Sequence, residues 1–152
     1  MRKFLPWIIA GAVVLFGYFY FKGINNTAVT LDQDVKESWG NVQTSYQRRN
    51  DLIGNLVKTV KGAADFEKST LEAVITARSK ATSVNIDPTN ITPEQLAQFN
   101  QAQSGVSSAL SRLLVTVEQY PDLKANQNFL KLQDELASTE NQILTARTRF
   151  NE

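Results

Sequence analysis

Neither cysteine nor histidine occurs anywhere in the 152 residues. Without cysteine the chain forms no disulfide, thiolate nucleophile, Fe–S cluster or zinc finger, and offers no N-terminal Cys to a lipid anchor. Without histidine it lacks the commonest general base and the commonest metal ligand, and the Glu-x-x-His pairs of di-iron bundles go with it. Carboxylates do not repair the loss. Asp32 with Asp34, and Asp134 with Glu135, point to different faces of a helix and read as solvated surface. Serine and threonine are frequent but have no histidine to activate them, and no Ser–Lys dyad stands out among Ser69, Ser79, Ser83 and the lysines. A glycine-rich phosphate loop is missing too. No catalytic, metal or cofactor-binding residue can be assigned, and the sequence points away from an enzyme.

An excess of charge of one sign is also lacking. Sixteen Lys and Arg face fifteen Asp and Glu. Short basic pieces such as KTVK and RSK lie dispersed among acidic residues, so no face concentrates the cations that nucleic-acid phosphates require. Nucleic acid is not an expected partner.

What the chain does have is one unbroken apolar run, Phe4 to Phe21, FLPWIIAGAVVLFGYFYF, free of charge and bracketed by Arg2, Lys3 and Lys22. As a helix rising about 1.5 Å per residue it spans roughly 27 Å, close to the hydrocarbon thickness of a bilayer. It is longer than the apolar core of a cleaved signal, and its small cluster Ala10-Gly11-Ala12 lies inside the run, so it reads as an uncleaved anchor in membrane lipid. Trp7 near one end and Tyr18, Phe19 and Tyr20 near the other stand where interfacial aromatics do. Arg2 and Lys3 against Lys22 predict a cytoplasmic N-terminus with the body outside. The division expected is an N-terminal membrane anchor over 1–22, a juxtamembrane linker over 23–30 and a helical bundle over 31–152.

The linker ends where Thr30 and Gln33 stand at capping-box spacing with Asp32 in the first turn. Leu31, Val35, Trp39, Val42, Tyr46, Ile53, Leu56, Val57 and Val60 then recur with a period near 3.6. Gly54 and Gly62 weaken this helix and Asp65 offers a new cap, so residues 31–84 form two helices or one with a joint near Gly62. The second part is expected to bury Phe66, Leu71, Val74, Ile75 and Ala81. VNIDPTNI, over 84–91, is the main loop. Thr92-Pro93-Glu94-Gln95 is a strong helix start. Leu96, Phe99, Gln103, Val106, Leu110, Leu113, Val117 and Tyr120 follow in steps of three and four. Tyr120-Pro121-Asp122 breaks that helix. A second seam runs through Phe129, Leu132, Leu136, Thr139, Ile143, Ala146 and Phe150. No segment alternates with period two, and short connections make sequential helices antiparallel. The fold class is therefore all-α: an N-terminal transmembrane helix followed by an antiparallel up-down bundle of three to four long helices.

The densest charged cluster is Arg48-Arg49-Asn50-Asp51. Paired arginines can clamp a phosphate or lipid headgroup, or they can pair with carboxylates on neighbouring helices such as Glu118 or Glu140; the balanced supply of carboxylates favours the second.

The stretches WGNVQTSYQRRNDLIGNLVKTVKGAADFE, LEAVITARSKA, ALSRLLVTVEQYPDLKANQNFLKLQDELASTENQIL and ARTRFNE, which cover most of Leu31 to Glu152, resemble the LemA family of membrane-anchored bacterial helical proteins. The resemblance implies a single N-terminal membrane helix with an antiparallel bundle and does not itself imply an enzyme activity; one divergent branch of the family is associated with building magnetosome membranes. Structural or interaction candidates carried by it are Trp39, Arg48, Arg49, Asp51, Glu67, Arg78, Glu118, Tyr120, Pro121, Glu140 and Arg147. Gly54 stands where relatives often have Pro, which implies flexibility there. Ala63 and Phe66 replace a frequent Tyr and His. Relatives usually continue beyond the position of Arg149-Phe150-Asn151-Glu152 with more helix and a Phe/Pro-containing tail.

The function expected is a scaffold, single-pass in the bacterial inner (cytoplasmic) membrane with its bundle periplasmic or extracellular. It would self-assemble as a homo-oligomer or dock an envelope protein partner. The alternative is a sensory or ligand-binding helical module in the cell envelope, with Gln103 and Thr139 as the polar residues inside the seam.

Overall fold

The computed structural model describes residues 5–63 and 65–152, and for 5–10 and 24–26 the backbone alone. Among the described residues there are five helices and no strand: α1 (Leu5–Lys61), α2 (Lys68–Ser83), α3 (Pro93–Val117), α4 (Pro121–Lys124) and α5 (Gln127–Asn151). The chain divides into two compact units, Met1–Glu37 and Ser38–Glu152.

In the first unit, Phe4 and the side chains of residues 5–10 of the expected membrane run lie outside the described residues. Among the described residues no helix is long and apolar enough to cross a membrane. The backbone over 23–30, expected as a linker, is helical, and no capped start occurs at Thr30. The reason is local: INNTAVT contains no proline, so every amide can reach the carbonyl four residues back, and the Thr27 hydroxyl adds a bond of 3.0 Å to the Gly23 carbonyl. Asp32, expected in the first turn of a helix, instead pairs with Lys36 one turn on, at 2.6 Å. Leu31 and Val35, expected to open the buried seam, are 59% and 48% exposed. Phe16 stacks on Tyr20 with ring centroids 6.5 Å apart, and the Lys22 ammonium lies 5.9 Å from the Tyr18 ring centre.

The second unit is an up-down bundle of four long helices, and its topology can be read from two apolar clusters. One joins Ile53, Leu56 and Val60 of α1 to Leu71 and Val74 of α2, Leu110, Leu113 and Val117 of α3, and Phe129 and Leu136 of α5. The other joins Trp39, Val42 and Tyr46 of α1 to Ile86, to Phe99 of α3, and to Ile143 and Ala146 of α5, with Val84 and Phe150 packed against it. The start of α3 thus sits with the end of α5, and the end of α3 with the start of α5. The same comparison makes α2 antiparallel to both α1 and α3.

Helix ends follow their local chemistry. α1 closes at Gly62, where the last turn tightens through Gly62 N–H to Thr59 (3.3 Å) and Ala63 N–H to Val60 (3.0 Å). The cap of α2 is Glu67 rather than the expected Asp65, and it makes no side-chain capping bond; its carboxylate accepts from the Ser69 hydroxyl at 2.7 Å. Ile75 is 47% exposed, against its expected burial, and Phe66 is half-buried. α3 opens with the expected capping box: the Thr92 hydroxyl accepts from Gln95 N–H at 3.2 Å, and the Gln95 amide oxygen accepts from Thr92 N–H at 3.1 Å. Thr92→Ala removes one half of that exchange and is expected to cost about 1 kcal/mol. Urea unfolding measures it as a lower midpoint at constant slope, and an unchanged midpoint would contradict it.

The break at Tyr120-Pro121 holds one turn of helix, α4, before Asn126 caps α5 by accepting from Asn128 N–H (2.9 Å) and Phe129 N–H (3.1 Å). Tyr120 ties this elbow to the α1–α2 turn. Its hydroxyl donates to the Asp65 carbonyl at 2.9 Å, and its ring lies 4.9 Å from that of Phe66.

Candidate functional site

Between the two apolar clusters α1 places Arg49 and Asn50, which are 2% and 3% exposed. They fill the helical step between Tyr46 and Ile53, where the seam calls for an apolar residue. Arg49 reaches α3 and α5. One guanidinium nitrogen donates to Ser107 Oγ at 3.2 Å and to Glu140 Oε1 at 3.0 Å; the other donates to the Gln103 carbonyl at 3.3 Å and to the Gln103 side-chain oxygen. The guanidinium also stands 4.9 Å from the centre of the Tyr46 ring. On the α2 side, Arg78 Nε donates to the Asn50 carbonyl at 2.7 Å. One polar layer therefore touches all four long helices.

The layer is incompletely satisfied. Arg49 Nε and Asn50 Oδ1 are buried without a partner among the described residues, as is Trp39 Nε1 in the neighbouring aromatic cluster. Each such group costs about 1–3 kcal/mol, and folded proteins keep few of them. A groove of about 330 Å³ runs along the layer, lined by Arg49, Gln103, Ser107, Glu140 and Arg147. Its chemistry is that of hydrogen bonding and charge pairing. The Ser107 hydroxyl gives its proton to the Gln103 carbonyl at 3.3 Å while accepting from Arg49, so it is not poised beside a base.

Of the residues singled out in the sequence, the structure brings together Arg49, Gln103, Glu140 and Arg147 on this groove, while Arg78 lines a different groove and meets the polar layer from α2 only through the Asn50 carbonyl. Trp39 is 1% exposed, with ring centroids 5.3 Å from Phe99 and 5.1 Å from Phe150. The others lie elsewhere. Arg48 is exposed, apart from the pair expected with it. Asp51 accepts from Gln47 at 3.1 Å. Glu118 pairs with Lys124 rather than with an arginine. Glu67, Tyr120 and Pro121 belong to the turns described above. Thr139 is fully buried, but its hydroxyl is spent on the Glu135 carbonyl of its own helix at 2.8 Å. Asn50 is named in the sequence only as a member of the charged cluster, with no burial expected, and Ser107 is not singled out. The signal for Asn50 was the seven-residue gap in the α1 seam between Tyr46 and Ile53; Ser107 carries none, because a serine beside a seam looks like surface.

The LemA family model matches residues 38–152. The protein named LemA from Metamycoplasma hominis is 26% identical over 134 residues, covering 88% of this chain and 58% of its own length. Magnetosome protein MamQ 2 from Paramagnetospirillum magneticum is 28% identical over 143 residues, covering 83% of this chain and 53% of its own. Magnetosome protein MamQ from Magnetospirillum gryphiswaldense is 27% identical over the same length. The chain spans little more than half the length of these curated relatives.

Proposed function

The chain belongs to the LemA family, and we propose that it is a non-enzymatic, membrane-anchored scaffold whose bundle self-assembles or docks a partner at the bacterial envelope. The observation that carries this reading is the row of bare apolar side chains in the first unit. Val13, Val14, Leu15, Phe16, Phe19 and Phe21 are between 59% and 75% exposed. A helix apolar on all sides needs an apolar medium, and the sequence continues the same character back to Phe4. A single-pass anchor in the inner membrane is the arrangement that covers it, with the bundle on the outer side as the flanking cations imply. The relatives named as magnetosome proteins support a place at a bacterial membrane system. Holding such a bundle in two dimensions raises its effective concentration, which is what lateral assembly needs.

The missing cysteines allow a direct test, because Asn90 and Gln33 are exposed. Asn90→Cys is expected to react with an impermeant maleimide in intact cells, and Gln33→Cys to crosslink to a second copy at native expression levels. Labelling of Asn90→Cys only after lysis would overturn the external placement. Absence of any crosslink at Gln33→Cys or Asn90→Cys would count against self-assembly.

A second reading, a ligand-binding envelope module, draws on the groove beside Arg49. It predicts that a ligand displaces Glu140 from the guanidinium, which isothermal calorimetry on the wild type and on Arg147→Gln would detect as a change in affinity.

A further inference from the structure

We infer that the groove between α1 and α2, distinct from the groove beside Arg49 and joined to its polar layer only through Arg78, is a binding site for a phosphate monoester, held by Lys58, Lys61 and Arg78. These residues line one groove of about 540 Å³ together with Asp51, Gly54 and Ile75. The spacing places Gly54, Lys58 and Lys61 on one face of α1, opposite Ile75 and Arg78 of α2. The lining therefore carries three cations and one carboxylate. Asp51 is engaged by Gln47 at 3.1 Å and pairs with none of the three. Some lysines of the chain find carboxylates, as Lys68 does with Glu72, Lys124 with Glu118 and Lys131 with Glu135, whereas Lys22 and Lys80 do not among the described residues. Among the described residues Lys58 and Lys61 have no such pair.

Arg78 is seated in advance. Its Nε is committed to the Asn50 carbonyl at 2.7 Å, which fixes the guanidinium plane and leaves the terminal nitrogens to the groove. Gly54 makes room for it: a Cβ there would stand 3.2 Å from both Arg78 Cζ and Nη2. A cation-rich last turn alone would complement the dipole of α1, but that does not account for an arginine held flat against α1 from the facing helix. A net charge of plus two matches a phosphate monoester, which carries about −1.5 to −2 near neutral pH, and a planar fork beside two ammonium groups suits its oxygens. The half-exposed Ile75 supplies an apolar wall for the esterified group.

The chemistry is shared by a soluble phosphate monoester and by the headgroup of a phosphatidic-acid-like lipid, and one experiment separates them. The full chain in uncharged-detergent micelles is followed by NMR while inorganic phosphate is added, and in parallel while phosphatidic acid is doped into the micelles. Saturable shifts are expected at residues 54–61 and 75–78. The double variant Lys58→Gln/Lys61→Gln, both positions exposed, should bind at least tenfold more weakly with an unchanged folded spectrum. Gly54→Ala should also weaken binding by displacing the guanidinium. If the lipid moves these resonances at lower concentration than phosphate does, the ligand is a headgroup; if only phosphate moves them, it is soluble. No saturable shift with either probe, shifts spread evenly over Lys68, Lys80, Lys124 and Lys131, or undiminished affinity in the double variant would overturn the assignment.

Discussion

Glu140→Leu is expected to destabilise the bundle by about 3 kcal/mol, although Glu140 looks like a surface residue. The Arg49 side chain is 3% exposed, whereas that of Glu140 is 45% exposed. Of the groups that Arg49 touches, Glu140 alone carries a compensating charge; Gln103 and Ser107 contribute dipoles. Removing one partner of a buried pair typically costs 3–5 kcal/mol because the other charge is left behind. Here water reaches the carboxylate side, which places the effect at the lower end. Glu140→Gln, which keeps an acceptor at the same place, should cost less. The double variant Arg49→Met/Glu140→Leu should recover most of the loss, since replacing both members by apolar groups of similar size is often neutral. A double-mutant cycle by chemical denaturation gives the coupling. A loss below about 0.5 kcal/mol for Glu140→Leu, the usual range of surface changes, would falsify the claim that this carboxylate neutralises a buried cation.

Trp39→Ala is expected to have the largest effect of any single core substitution in the second apolar cluster, about 3–5 kcal/mol. The indole is edge-on to Phe99 at 66° and tilted against Phe150 at 56°, while Phe99 in turn packs edge-on to Tyr46 at 5.0 Å. Removing it opens a cavity that rigid rings cannot collapse into, and it forfeits the aromatic pair energy besides the burial. Domains of this kind are stable by only about 5–15 kcal/mol, so the variant should approach the limit of folding at physiological temperature. Trp39→Phe keeps the ring contacts, and it also removes an indole N–H that finds no acceptor among the described residues; its loss should be well under half as large. Equal losses for the two variants would show that the site tolerates collapse, contrary to the geometry.

The two predictions differ in how far they could be read from the sequence. Trp39 stands in register with Val42 and Tyr46, and such a seam announces burial through a local period. Glu140 does not announce itself, since it sits one step from Thr139 on the polar side of α5. Its partner lies 91 positions earlier. Pairing with Glu140 was one of two carboxylate options for the arginine pair; the other, Glu118, went to Lys124 six residues away. Likewise Ile75 had the right period but not the burial, because the α1–α2 groove leaves it at the edge. Gly54, expected as a flexible point, is passed by an unbroken helix and serves to seat Arg78.

The amino-acid sequence alone determined the all-α class, the breaks at Gly62, at the 84–91 loop and at Pro121, and the capping box at Thr92. It also determined the residues of the α3 and α5 seams and the absence of histidine and cysteine chemistry. Each of these depends on bonds spanning at most a helical turn, on the fixed φ of proline, or on composition. Only the tertiary structure decided that Arg49 and Asn50 are buried, that Gln103, Ser107 and Glu140 converge on Arg49, and that Ile86 leaves its loop to cover Trp39's cluster. It alone set Arg78 against Gly54. The reason is that burial and charge pairing depend on which helix faces arrive opposite one another, and a period of 3.6 identifies a face without naming its neighbour.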